Sequence, residues 1–117
     1  MKLKEFKVDV LGAEYVVQIG ARKELNIQPE HSGECQYFRK RILVCDEFSE
    51  EVKKEDRPLV LKSVIRHEVA HAFLYESGRE DNANDEDLVT WLEIMSDKLV
   101  KLQNLVADLA LDKSETW

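Results

Sequence analysis

The stretch His67-Glu68-Val69-Ala70-His71 constrains this chain more than any other: it sets two of only three histidines four residues apart, with a glutamate beside the first. The spacing has chemical meaning on a helix, where 3.6 residues per turn place residues i and i+4 above one another on one face. Two neutral imidazoles stacked in this way can bind zinc through their ring nitrogens, leaving positions for a third ligand and a water. Glu68 is then placed to take a proton from that water. The competing reading is a pair of histidines packed on a core helix. It suits a helix that lies in the middle of a domain almost as well.

The flanks of the motif predict a helix over residues 59–75. Val60, Val64, His67, His71 and Leu74 fall on one stripe, and Leu61, Ile65, Ala72 and Phe73 lie on the opposite side. A helix apolar nearly all round belongs in the middle of a domain, so both histidines are expected to face protein and not bulk water. Pro58 either opens this helix or kinks one already begun, and Ser49 with Glu50 and Glu51 resembles an earlier helix start. Gly78 is expected to end the helix in a left-handed conformation.

Upstream, the period is that of strands. Phe6, Val8 and Val10 alternate with Lys7 and Asp9, and after Gly12 the alternation resumes at Tyr15, Val17 and Ile19, which predicts a hairpin over residues 4–20. Residues 20–33 are polar, contain Pro29 and read as a loop. A second hairpin follows, residues 35–38 and 41–46 around a basic turn, with Ile42 and Val44 on one face. A turn at Lys40 would set Cys35 and Cys45 roughly opposite each other. A cross-strand bond is then geometrically conceivable, against the plainer reading of two half-buried strand residues with free thiols. Arg39, Lys40 and Arg41 read as a solvated turn.

Downstream, residues 79–87 are polar and acidic. Leu88, Leu92, Met95, Leu99, Leu102, Val106 and Leu109 then recur at alternating spacings of four and three. This heptad stripe predicts a long amphipathic helix packed on the central one, with a partner-binding coiled coil as the competing reading. The tail, residues 113–117, is expected to fray. The layout is therefore α+β: two N-terminal hairpins forming a small sheet, a central helix carrying the motif, and a long C-terminal helix.

At 117 residues the chain has room for one hydrophobic core, so residues 1–117 read as one domain. Apolar residues at 44 % against 35 % charged residues describe a globular protein and not a disordered one. A net charge of −7 argues against nonspecific nucleic-acid binding, which needs clustered Lys and Arg. No apolar run approaches the ~18 residues of a membrane span, and the alternating N-terminus does not resemble a secretory signal. A cytoplasmic location is expected by default.

A zinc site built on His67 and His71 needs a further protein ligand. His31 lies in a loop beside Gly33 and reads as an exposed loop histidine. Glu80, Asp81, Asp85, Glu86, Asp87 and Glu93 are richer ground, since a glutamate from a following helix completes the His₂Glu set of thermolysin-type enzymes. Ligand chemistry alone leaves Glu86 and Asp85 both open.

The run HEVAHAFLYESG, followed by a short acidic segment and DEDLVTWLE, resembles the small phage and prophage zinc metallopeptidases related to the ImmA/IrrE group. The likeness extends over most of residues 4–100. Its H-E-x-x-H part is specific for zincins in general, and its E-S-G and V-x-W parts are much less so. The ligand glutamate of that pattern lies five residues before the tryptophan, which falls on Glu86 because the tryptophan is Trp91. The pattern often carries an aspartate four residues after the ligand, hydrogen-bonded to a ligand histidine; Thr90 stands there in this chain.

The resemblance implies a minimal zincin-like domain holding one Zn²⁺ per chain through His67, His71 and Glu86, with Glu68 as general base in peptide-bond hydrolysis. Its expected substrate is an extended peptide or protein segment bound along the sheet edge. Tyr75, Arg66 and His31 are candidates for a second oxyanion donor. The alternative from another class is a non-catalytic, zinc-containing acidic protein that binds a host or phage protein, or a second copy of itself, through the C-terminal helix.

Overall fold

A computed structural model describes residues 3–111 of the chain. The fraying expected of residues 113–117 lies outside the described residues. Strands β1 (Lys4–Val10) and β2 (Ala13–Gly20) form the first hairpin, and β3 (Gly33–Gln36) and β4 (Arg41–Cys45) form the second. The hairpins join through a parallel pairing of β2 with β4, giving one four-stranded sheet in the order β1-β2-β4-β3. Three helices follow the sheet: α2 (Arg57–Glu76), α3 (Glu80–Ala83) and α4 (Glu86–Ala110). The α+β layout read from the sequence is the one observed.

The first hairpin turns at Leu11 and Gly12, both at positive φ, and Asp9 accepts from the Gly12 amide. Alternation then sorts the sheet into two faces. Tyr15, Val17, Ile42 and Val44 point to one side and pack with Ala72 of α2. Leu43 and Cys45 point to the other and pack with Leu25 and Ile27. Those last two residues correct the reading of 20–33 as plain loop: a short helix, α1 (Arg22–Leu25), ends at left-handed Asn26 and lays two apolar side chains under the sheet. Its single turn is too short for periodicity to reveal.

The register also corrects the cysteine geometry. Cys35 pairs with Ile42, because the second hairpin turns through residues 37–40 and not at Lys40 alone. Cys35 packs on the α2 side and Cys45 on the α1 side, and both are free. Burial pushes the Cys35 thiol up to about 12, with the Glu68 charge adding to the effect, so it stays protonated at neutral pH.

Ser49 caps no helix. Residues 50–52 form a turn, Lys54–Asp56 make a 3₁₀ turn, and α2 begins at Arg57 with Pro58 in its first turn, where a missing N–H costs nothing. Gly78, at φ 89°, follows the helix end as expected. The α2 surface is less enclosed than its composition suggests. Glu68, His71, Ala72 and Leu74 are buried, whereas Leu59, Val69 and Phe73 are exposed, so one flank of the helix is uncovered.

The prediction for α4 holds for its first half only. Leu74, Ala83 and Val89 form a small core with Leu88 and Leu92, and Arg66 fastens α4 to α2 through the Glu93 carbonyl and the Asp97 carboxylate. From residue 97 to residue 111 every position is exposed. Leu99, Leu102, Val106 and Leu109 continue the heptad seam without a partner among the described residues. Periodicity had identified an apolar face, and α2 is too short a surface to cover all of it.

Candidate metal centre

Three segments meet at one end of the sheet. The middle of α2 presents His67, Glu68 and His71, α3 brings the chain back alongside them, and α4 starts beside both. Asp85 is the N-cap of α4, its carboxylate accepting from the amides of Asp87 at 3.1 Å and Leu88 at 3.2 Å. This occupies the side chain that had rivalled Glu86. Glu86, the first residue of the helix, places Oε1 2.9 Å from Nε2 of His67 and 3.3 Å from Nε2 of His71. One donor atom from each of the three residues lies within 4.8 Å of the others. A tetrahedron of zinc bonds of ~2.0–2.1 Å has edges of ~3.3 Å, so the two carboxylate–imidazole separations suit such a site.

The far side of each ring explains its orientation. Nδ1 of His67 lies 3.1 Å from Glu93 Oε1, and Nδ1 of His71 lies 2.5 Å from the Ala83 carbonyl oxygen. A carbonyl and an ionised carboxylate only accept, so Nδ1 is the donor on each ring and Nε2 is the ring nitrogen turned towards Glu86. Burial lowers the pKa of His67, but hydrogen bonds to Glu86 and Glu93 outweigh it and hold the value above the usual histidine range. The donor set is borderline-soft nitrogen plus one carboxylate oxygen, which fits Zn²⁺.

Glu93 supplies the outer support for which Thr90 has no acceptor carboxylate. It sits one turn further along α4 and also accepts from the Ser63 hydroxyl, so both of its oxygens are tethered. The sequence had offered Glu93 as a ligand candidate; its observed contact is with the ring edge remote from the convergence point. The other histidine is supported by Tyr37, whose hydroxyl donates to the Ala83 carbonyl at 2.8 Å and lies 3.2 Å from Nδ1 of His71. No local pattern marks Tyr37, since its partners are 34 and 46 residues away.

Glu68 is 7 % exposed, and among the described residues nothing hydrogen-bonds its carboxylate. Burial raises its pKa, against the lowering pull of His71 and His67. It faces a cleft of about 620 Å³ bounded by α2, the start of α4 and strand β3. Strand β3 is an edge of the sheet, and Gly33 lets it come close to the helix. A Cβ there would stand 3.0 Å from Glu68 Cγ, from Val64 Cγ1 and from the Leu43 carbonyl oxygen.

Of the expected oxyanion donors, His31 lines the cleft, 3.5 Å from Glu34. Arg66 is turned away to bind α4, and Tyr75 stacks on Tyr37 at 4.6 Å outside the cleft. Glu30, Glu34, Glu68, Glu86 and Glu93 line the cleft with no lysine or arginine among the lining residues. Comparisons of the chain with family models, with curated proteins and with solved structures return no match.

Proposed function

We propose that this protein is a zinc-dependent metallopeptidase in which His67, His71 and Glu86 hold one Zn²⁺. The observation that carries the reading is the orientation of the two imidazoles: both Nδ1 atoms are engaged by acceptors, and both Nε2 atoms meet the Glu86 carboxylate. Zinc bound there supplies a Lewis acid that brings the pKa of a water towards about 7. Glu68, beside the ligand histidines and facing the cleft, would be the base that accepts a proton from an attacking water and returns it to the departing amine. Burial raises its pKa, the direction that favours returning a proton once taken. The free side of β3 offers backbone groups to an extended peptide, which would lie along the cleft past Glu68.

Elemental analysis of protein purified without chelator is expected to find close to one zinc per chain. Glu68→Gln is expected to keep that zinc while hydrolysis of peptide substrates disappears. Protein that takes up no zinc even when it is supplied in excess would remove the reading. A second reading, a zinc-holding interaction protein without hydrolytic activity, is favoured by the bare apolar face of α4. Zinc binding with no cleavage across peptide libraries would support it. Among the described residues no helix is long and apolar enough to cross a membrane.

A further inference from the structure

Strand β3 has one neighbour and one open edge, and the register says which groups that edge offers. Cys45 donates to the Ser32 carbonyl at 2.9 Å, and Cys35 stands opposite Ile42. Bonded and non-bonded pairs alternate along an antiparallel ladder, so the amides and carbonyls of Ser32, Glu34 and Gln36 turn to β4. Those of Gly33 and Cys35 turn to the open edge, next to Glu68, which Gly33 abuts. A peptide added antiparallel there bonds to Gly33 and Cys35, and its side chains follow the same alternation. Side chains opposite Gly33 and Cys35 lie on the α2 face, with the cleft. The one opposite Glu34 lies on the other face, beside the Glu34 side chain.

The Glu34 carboxylate is fixed in place. The Gln28 amide donates to Oε1 at 3.2 Å, His31 Nδ1 stands 3.5 Å from the same oxygen, and Gln36 Nε2 donates to Oε2 at 3.2 Å. Burial pushes its pKa up, but these contacts outweigh it and hold the value below the usual carboxylate range, so Glu34 is ionised at neutral pH. Gln36, two residues on and on the same face, leaves its own Oε1 buried with no partner among the described residues. An ionised carboxylate and an acceptor without a donor thus stand side by side. The cations around them are engaged elsewhere: Arg22 donates to the Gln28 and His31 carbonyls, and Arg41, opposite Gln36, donates to Gln18 Oε1. On the peptide-cleaving reading of the site, on which this rests, we propose that the substrate carries a lysine or arginine opposite Glu34, within about two residues of the bond that is cut. The Glu34 carboxylate pairs with that cation, and Gln36 Oε1 is its second acceptor. Glutamate at the same position meets like charge and is rejected.

Fluorescein-labelled octapeptides of alanine and serine, with a single lysine walked along the chain, are the probe. Fluorescence anisotropy reads their binding to zinc-supplied Glu68→Gln protein, in which a bound peptide stays whole. Lysine at one position should bind on the order of tenfold tighter than glutamine there, and glutamate there should bind more weakly than glutamine. Adding Glu34→Gln should bring the lysine and glutamine affinities together. That change keeps an Oε1 acceptor for the Gln28 amide, so circular dichroism should show the same fold. An affinity indifferent to where the lysine stands reflects the net charge of −7 alone and overturns the proposal. A preferred position that survives Glu34→Gln overturns it too, and so does an absence of binding at millimolar peptide. Cleavage by protein that retains Glu68 decides the peptidase reading separately: position-specific binding without cleavage removes hydrolysis and keeps the cation site at Glu34.

Discussion

Glu93 touches none of the atoms that converge on Glu86, yet the orientation of His67 depends on it. Glu93→Gln keeps the shape and removes the charge, and outer-sphere changes of this kind typically weaken metal binding by ~10–100-fold. Competition with a chromophoric chelator should read that loss, while Glu86→Ala should lose more because it removes a ligand. Glu68 behaves differently, since burial makes its ionised form unwelcome. Its folded pKa lies above the unfolded value, so the metal-free fold loses stability as pH rises from the unfolded carboxylate pKa, ~4.3, to the folded one. Metal-free Glu68→Gln should therefore melt higher than the metal-free parent at pH 7, and the difference should vanish below about pH 4. His67 has a raised pKa as well, but it is a cation when protonated. Its pairing with Glu86 and Glu93 therefore stabilises the metal-free protein below the unfolded histidine pKa and is lost as pH rises through the folded one.

At the scale of elements, two short devices aim the site. The Asp85 cap ends the α3–α4 connection and starts α4 where Glu86 reaches both imidazoles. Asp85→Ala is expected to cost about 1 kcal/mol of stability in urea titration, and to weaken zinc binding because the first turn of α4 loosens. Close approach of β3 to α2 at Gly33 is the second device. Gly33→Ala puts a methyl group 3.0 Å from a backbone oxygen and two α2 side chains, one of them Glu68. Overpacking of that kind costs ~1–3 kcal/mol, and here it should also lower peptidase turnover by displacing the base. Strands and the motif helix were legible from their periods. The α1 turn was not, because four residues show no period, and neither was the fate of the α4 seam, because a period names a face without naming what covers it.

For the whole molecule, the proposed site would couple metal to fold. Its residues come from α2 and from the start of α4, so a bound zinc would add a link to those made by the small core of Leu74, Ala83 and Val89 and by the bonds of Arg66 and Ser63 to α4. Free zinc at ~100 times its dissociation constant should add about 2.7 kcal/mol to unfolding free energy. Differential scanning calorimetry with and without chelator measures this directly, and His71→Ala should abolish the difference.

Sequence alone determined the strands and the motif helix, and it singled out His67, Glu68 and His71 as the proposed site, because each reading rests on a local period or a one-turn spacing. It also narrowed the third position to an acidic residue near the start of α4. Only tertiary structure set Asp85 in the cap and Glu86 beside both imidazoles, since capping and reaching the rings are alternatives fixed by where the helix begins. It alone revealed Glu93 and Tyr37 behind the histidines, contacts made across 26 and 34 residues of chain. And it alone showed that, among the described residues, nothing covers the apolar face of the second half of the last helix. Burial depends on what a surface meets in space, which no one-dimensional pattern contains.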